Sequence, residues 1–439
     1  MSKMRGVIGV GIAGLLAAQR SFERGEEVIV FGGNLGGLID QVDLGGKRFD
    51  SGAEAFSTVG QEVLSLLDEL GLSDSVVYPT HCSASIISEA GRYRVPRGIL
   101  GLPADLNDPE LNAIFSPDEI ALAKTLDSTP FEQFSSVADM VRSRLGESFL
   151  QRLVNPVLAG VHGSTAEQLS AELTYGSLLA SAKELRSLTA AVAKSKQASA
   201  RPGASVASLK GGMRTLITAI STHLTANGVK FVDSDVDWVR PVPGGFALSA
   251  EGVEFRVSAL SLCAGADFVA QRLQGFEKLS TLAAQVQTVD VAIVVALVRS
   301  RKLNEFPLGS GALISEATGF QAKATTHTNA KWSWLQSELG ADQHLIRLSF
   351  GRNGLLPHGD LVDLAMAEIP EIYGVSDLRV LEAKSISWHR GLVRANPNLK
   401  REITSQLEKV DADLELAGSF VSGNGILGIV REHMKRRAA

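Results

Sequence analysis

Gly9, Gly11 and Gly14 stand in the G-x-G-x-x-G spacing of a dinucleotide-binding turn. In such a turn Gly9 permits a tight bend, Gly11 lets a pyrophosphate approach the backbone, and Gly14 lets helix and strand pack closely. Ile12, Ala13 and Gly14 would then offer free N–H groups and the positive end of a helix dipole to the phosphates. The elements that must hold this turn are legible around it. They are an apolar strand over residues 6–10, a helix to about Arg24 closed by Gly25, and a second strand over Glu27–Phe31. One residue type is missing. The second strand should end in Asp or Glu to hold the ribose hydroxyls, and Gly32 and Gly33 stand there instead. Two readings stay open on the residues alone: a tight turn without a ligand, or a dinucleotide whose ribose is held by other groups.

A second glycine-rich strand-to-helix turn, Ser422-Gly423-Asn424-Gly425, lies at the other end of the chain. Two readings stay open here too: its helix dipole could face a flavin ring, where negative charge builds on reduction, or Gly423 and Gly425 only shape a turn. Between the two turns, Gly36 and Gly37 form a flexible turn, and residues 49–54 form a short strand ending in Gly52-Ala53-Glu54. Residues 57–72 carry helical periodicity through Val63, Leu66, Leu67 and Leu70. Strands follow over 76–95 and helices over about 105–187, one of them running into Pro156. An Ala/Ser/Lys-rich stretch over 190–208, including Arg201-Pro202-Gly203, comes next and reads as a mobile connection or as a fraying helix followed by a loop. A helix is expected over 214–226, then an antiparallel set over 229–232, 236–239 and 246–250, and an apolar strand over 257–263. Residues 288–388 read as strands with one helix over 361–369.

The bulk numbers exclude several classes. A chain of 439 residues implies two or three domains. A net charge of −5 gives no reason to expect nucleic acid. Cys82 and Cys263 are far apart and read as reduced buried thiols, and the eight histidines, His81, His162 and His389 among them, show no metal-ligand spacing. No apolar run approaches the ~20 residues that span a bilayer, and residues 291–298 have the length of a buried strand. The first strand begins almost at once, leaving no room for a leader, so a cytoplasmic protein is expected.

With those motifs in view, the chain resembles the flavin-dependent protoporphyrinogen/coproporphyrinogen III oxidases (Gram-positive, actinobacterial type), within the monoamine-oxidase-like flavoproteins. The likeness runs along nearly the whole chain. It is carried by VIGVGIAGL, FDSGAEAF, VPRGILGLP, RLVNPVLAGVHGSTAEQLSAE, SLKGGMRTL, AKATTHTNAKWSW and GSFVSGNGILGIV. The resemblance implies an α/β fold: a Rossmann-like FAD-binding domain (1–77, 206–270 and 412–439), a mixed-sheet substrate domain (78–95 and 271–411) and an inserted α-helical domain (96–205). That insertion allows peripheral membrane contact, and haem-pathway enzymes are implied as partners. The implied reaction is oxidation of coproporphyrinogen III to coproporphyrin III in haem biosynthesis. O2 would be the acceptor and H2O2 the product, with hydride passing from a meso carbon to the flavin.

Carried over residue by residue, Gly9, Gly11, Ile12, Ala13, Gly14, Gly36, Gly37, Gly52, Ala53 and Glu54 match FAD positions. Val236 matches a backbone contact to adenine, and Gly423 and Gly425 match the turn near the flavin. Lys331 and Trp332, with Arg94 and Arg394, are the substrate-binding candidates. Arg97, Lys323 and Arg347 are further cations for the propionates of a porphyrinogen. No catalytic acid or base is named, because such chemistry needs positioning and water exclusion more than a proton-transfer pair. Three residues depart from the family pattern: Gly32 for the ribose acid, Ala395 for an aromatic near the substrate, and His162 within AGVHG. The alternatives are a protoporphyrinogen IX oxidase, another amine-oxidase-like enzyme or carotenoid desaturase, and a weakened porphyrin- or partner-binding homologue.

Overall fold

The computed structural model describes residues 3–80, 83–89, 91–130, 132–162, 165–198, 205–394 and 396–438. Expectations for His81, Cys82, Arg201-Pro202-Gly203 and Ala395 lie outside these residues. Five strands form a wholly parallel sheet: β1 (Met4–Ile8), β2 (Glu27–Phe31), β3 (Lys230–Val232), β4 (Ala259–Leu262) and β5 (Leu414–Leu416). Their spatial order is β3-β2-β1-β4-β5. Both faces are covered, so Val7, Val30, Phe31, Leu260 and Leu262 are all fully buried. On one face Leu15 and Leu16 of the first helix (Ile12–Glu23) pack with Leu216, Ile217 and Ile220 of the helix Arg214–Ala226. Ile426 and Val430 of the last helix (Ile426–Ala438) join them. On the other face lies an antiparallel three-stranded sheet, Val236–Val242, Gly245–Ala250 and Val253–Val257.

This layout corrects one expectation. Residues 229–232 do not join the antiparallel set. Leu216, Ile217, Ile220 and Leu224 hold the preceding helix on the parallel sheet, which returns the chain alongside the open edge of β2. The antiparallel set is instead completed by Val253–Val257, through the tight turn at Glu251 and Gly252.

The second sheet is mixed. In order its strands are Arg379–Val393, Thr288–Arg299, Gln343–Phe350, Ala324–His327, Gly311–Ile314, Ser85–Ser88 and Gly91–Arg94. The pair Gly311–Ile314 and Ser85–Ser88 runs parallel, and the other neighbours run antiparallel. The apolar run 291–298 is a central part of this sheet, as its β-branched content predicts. The helix Leu361–Tyr373 covers one face with Ile369 and Ile372, against Val294, Ile346 and Phe350. It continues beyond the expected end at 369 and through Pro370, stopping where Gly374 takes φ +68°.

Between the strands Gly91–Arg94 and Val206–Leu209 the chain builds a helical layer. Ser116 and Ser136 open the helices Pro117–Asp127 and Val137–Leu145 with complete capping boxes, closed by Glu119 and Asp139. Phe115 and Phe149 stack at 3.9 Å in its core. The helix expected to run into Pro156 is broken at Gly146 and passes through a π-helical stretch, Leu150–Val154. It then runs on as Asn155–His162, because Pro156 sits where the register change has already freed the N–H position. The expected fold class is borne out: an α/β chain with a parallel sheet, a mixed sheet and a helical insertion. Among the described residues no helix is long and apolar enough to cross a membrane.

Candidate active site

The carboxyl ends of the parallel strands form a glycine rim. Gly9, just after β1, takes φ +112°, and a Cβ there would lie 2.9 Å from the Cys263 carbonyl carbon at the end of β4. Only glycine fits. Cys263 itself is a free thiol whose pKa burial pushes up. The turn Gly36-Gly37 folds against the first: the Gly36 N–H donates to the Val10 carbonyl at 2.9 Å, and Gly11 and Gly36 form an isolated parallel bridge. Gly11 caps the first helix with no side-chain hydrogen bond, and the first turn holds no acidic residue. The N–H groups of Ile12, Ala13 and Gly14 are therefore left for an anion. A Cβ at Gly11 would meet nothing nearer than 4.0 Å, and Cβ atoms at Gly423 or Gly425 nothing within 4 Å. The turns at both ends of the chain thus leave open backbone where a dinucleotide would lie. The residues present fit a flavin dinucleotide.

Gly52, Ala53 and Glu54 join this rim to the mixed sheet. The Ala53 N–H donates to the Leu38 carbonyl at 2.9 Å, and a Cβ at Gly52 would press on that same carbonyl oxygen. Glu54 accepts from Lys331 Nζ at 2.5 Å and from Arg347 Nη1 at 2.7 Å, while Arg347 Nη2 donates to the Ser51 and Gly52 carbonyls. Burial alone would raise the Glu54 pKa, but the two cations hold it down at about 2. Asp50, four residues earlier, accepts the Met213 N–H with both oxygens at 3.0 Å and packs where a Cβ on Gly212 would go. Its burial outweighs that bond and raises its pKa to about 6. Asn424, inside the last glycine turn, bonds both the N–H and the carbonyl of Val393 at the end of a sheet strand.

A cavity of about 360 Å3 opens between the helical layer and the mixed sheet. Gln151 and Asn155 approach from one side, Ile314, Lys323, Arg352 and Asn353 from the other. Lys323 is only 9% exposed, and its nearest acceptor is the Gly351 carbonyl at a long 3.5 Å. Burial, then the neighbouring Arg352, pulls its pKa below the ordinary lysine value. Arg352 donates to the Ala322 carbonyl, and its buried Nε has no partner among the described residues. Two under-satisfied cations on a cavity wall are built to receive carboxylates. Glu167 and Glu316 stand at the exposed rim.

The sequence candidates separate on this frame. Lys331 is committed to Glu54 and lies over the Trp332 ring at 5.1 Å, and Trp332 is buried beside Asp50 and Gly212. Arg94 sits on an exposed edge strand, donating to the Ser83 hydroxyl at 3.2 Å. Arg394 lines a neighbouring cleft and donates to the Asn353 carbonyl at 2.9 Å, which makes Asn353 the shared wall of cleft and cavity. Val236 begins its strand buried, with Arg272 reaching its carbonyl at 3.5 Å. Lys323 reaches the cavity; Arg97 is exposed. Arg352 was missed. Its only signal is a cation two residues past a buried strand, in Gly351-Arg352-Asn353-Gly354. Among the described residues no group of three or more His, Cys, Asp or Glu could hold a metal ion.

The sequence and the fold both resemble known proteins. The chain is 26% identical over 441 residues to the coproporphyrinogen III oxidase of Mycobacterium tuberculosis, covering 96% of this chain and 93% of that one. It is 21% identical over 447 residues to the coproporphyrinogen III oxidase of Bacillus subtilis, covering 96% and 94%. Its fold matches a crystal structure from Exiguobacterium sp. 255-15, provisionally named a protoporphyrinogen oxidase. That match has a TM-score of 0.87 and 20% identity, and covers 100% of this chain and 98% of that one. The resemblance read from the motifs is borne out. The family model for flavin containing amine oxidoreductases matches residues 12–234, more than half of the 439 residues, and the chain belongs to that family as a flavin-dependent oxidoreductase.

Proposed function

We propose that the protein binds FAD and oxidises coproporphyrinogen III to coproporphyrin III, with O2 as acceptor and H2O2 as product. The observation that carries this reading is the likeness, along 96% of the chain, to proteins named coproporphyrinogen III oxidase. The cavity chemistry supports it: a porphyrinogen bearing propionates meets Lys323 and Arg352 there. In this reading residues 1–77, 206–270 and 412–439 form the FAD domain, 78–95 and 271–411 the substrate domain, and 96–205 the helical domain. Gly9, Gly11, Ile12, Ala13, Gly14, Gly36 and Gly37 take the pyrophosphate end. Val236 meets the adenine through its backbone, and Gly52, Ala53, Glu54, Gly423 and Gly425 surround the flavin ring.

FAD, when bound, supplies a two-electron acceptor that O2 can reoxidise. The chain's own residues position the substrate and exclude water. Lys323 and Arg352 fix it by its carboxylates. Glu54, held ionised, locks Arg347 onto the Ser51 and Gly52 carbonyls, so that stretch forms a rigid wall. The enzyme works in the cytoplasm.

The test is porphyrin fluorescence in air after adding coproporphyrinogen III or protoporphyrinogen IX to the flavin-loaded protein. Faster oxidation of coproporphyrinogen supports the reading. Preference for protoporphyrinogen reassigns the substrate, and oxidation of neither refutes the activity.

A further inference from the structure

We propose that Asp233 holds the adenosine ribose of the dinucleotide, in place of the acid missing at the end of β2. The proposal rests on the FAD reading above.

The usual position is closed to an acid in this chain. Gly32 takes φ +152°, and a Cβ there would lie 2.9 Å from Val10 Cγ2. Val10, the middle residue of Gly9-Val10-Gly11, fills the space that a longer side chain at 32 would need. The neighbouring strand supplies what β2 lacks. β3 runs parallel to β2 with Phe231 beside Val30 and Val232 beside Phe31. The ladder is still intact one step on, where the Gly32 N–H donates to the Val232 carbonyl at 3.1 Å. Asp233 is therefore the residue that follows β3 where Gly32 and Gly33 follow β2. A Cβ built on Gly33 would lie 4.0 Å from Asp233 Oδ1. The carboxylate thus lies on the side of Gly33 that a side chain would occupy, with the space between them open.

Two properties make Asp233 available. It is exposed, and it has no hydrogen bond or ion pair among the described residues. Other carboxylates near the ends of the parallel strands are engaged: Glu415 with Arg20 and Arg436, and Asp267 with Arg390. In an open parallel sheet the ligand lies outside the carboxyl ends of the strands, beside the point where strand order reverses. Here that point falls between β1 and β4, and β2 and β3 extend the same edge. A carboxylate at that place accepts from a vicinal diol through two charge-assisted hydrogen bonds. The ligand class is thus an adenosine ribose with free hydroxyls; a ribose 2′-phosphate would be repelled.

The test titrates FAD, and FAD analogues lacking the 2′- or 3′-hydroxyl of the adenosine ribose, into the full-length protein stripped of flavin. Flavin fluorescence reports binding, with no turnover needed. Wild type should bind FAD at least several-fold more tightly than the deoxy analogues. Asp233→Ala should bind FAD about tenfold more weakly than wild type and no longer distinguish the analogues. Asp235→Ala, exposed two residues on, should behave as wild type. Asp233→Ala binding FAD as wild type does would overturn the proposal. So would weaker binding that still discriminates the analogues as wild type does, since that marks a merely structural effect. Wild type failing to bind FAD would instead overturn the FAD reading on which the proposal stands.

Discussion

Lys323 and Arg352 lie 29 residues apart in sequence, yet share one cavity because the loop before Ala324–His327 and the loop after Gln343–Phe350 leave the same end of two paired strands. Neither cation is fully satisfied by the protein, so each gains most from a substrate carboxylate. Lys323→Ala and Arg352→Ala should each raise KM for coproporphyrinogen III about tenfold, with a smaller effect on kcat. Lys323→Arg should recover part of the loss. Steady-state porphyrin fluorescence checks both, and an unchanged KM would remove the pair from substrate binding.

Asp50 makes a separate prediction. The folded protein keeps its proton to about pH 6, whereas the unfolded chain releases it near 3.8. The folded state therefore binds more protons between those values, and this group's contribution to stability falls as pH rises from about 4 to about 6, then stays flat. Asp50→Asn keeps an acceptor for Met213 and should abolish that fall. Thermal melts of both proteins from pH 4 to 7 decide the matter, and an identical slope in the variant would exonerate Asp50.

At the scale of elements, the helical layer depends on a buried ion pair. Arg144 is fully buried, 3.5 Å from Asp127, and donates to the Thr129 and Pro130 carbonyls. Asp127 in turn accepts from the Leu188 N–H and from Ser187 and Thr189, which ties three helices together. Removing one partner leaves a buried charge uncompensated. Arg144→Ala should cost about 3–5 kcal/mol, read as a shift in the urea midpoint, while the exposed pair Arg48–Asp43 should tolerate the same change.

The elements legible in the sequence were those set by local pattern. The first glycine turn, β2, the helix Arg214–Ala226 and the strand through 291–298 follow from spacing and periodicity over a dozen residues. What was not legible depended on distant partners. Nothing local assigns Lys230–Val232 to the edge of β2, and nothing local shows that Lys331 is claimed by Glu54 across 277 positions. The helix expected over 361–369 runs on through Pro370 under tertiary packing, and the one expected to run into Pro156 changes helical register before it.

Across the whole molecule, the parallel sheet, mixed sheet and helical layer meet through a short series of residues. Asn424 in the last glycine turn bonds Val393. Arg394, next in the chain, bonds Asn353, and Asn353 borders the cavity of Lys323 and Arg352. The last glycine turn and the cavity wall are thus linked by a short relay of side-chain-to-backbone hydrogen bonds.

The proposed function requires a transfer of electrons from coproporphyrinogen III to the bound flavin and then to oxygen. Its most direct test follows the visible absorption of the flavin-loaded protein without oxygen. On adding coproporphyrinogen III the flavin bands should bleach as the substrate gives up the first of the three electron pairs it must lose, and admitting air should restore the flavin bands, release H2O2 and, over three turnovers, bring up porphyrin absorption. A flavin that stays oxidised in the presence of excess coproporphyrinogen III would rule that transfer out.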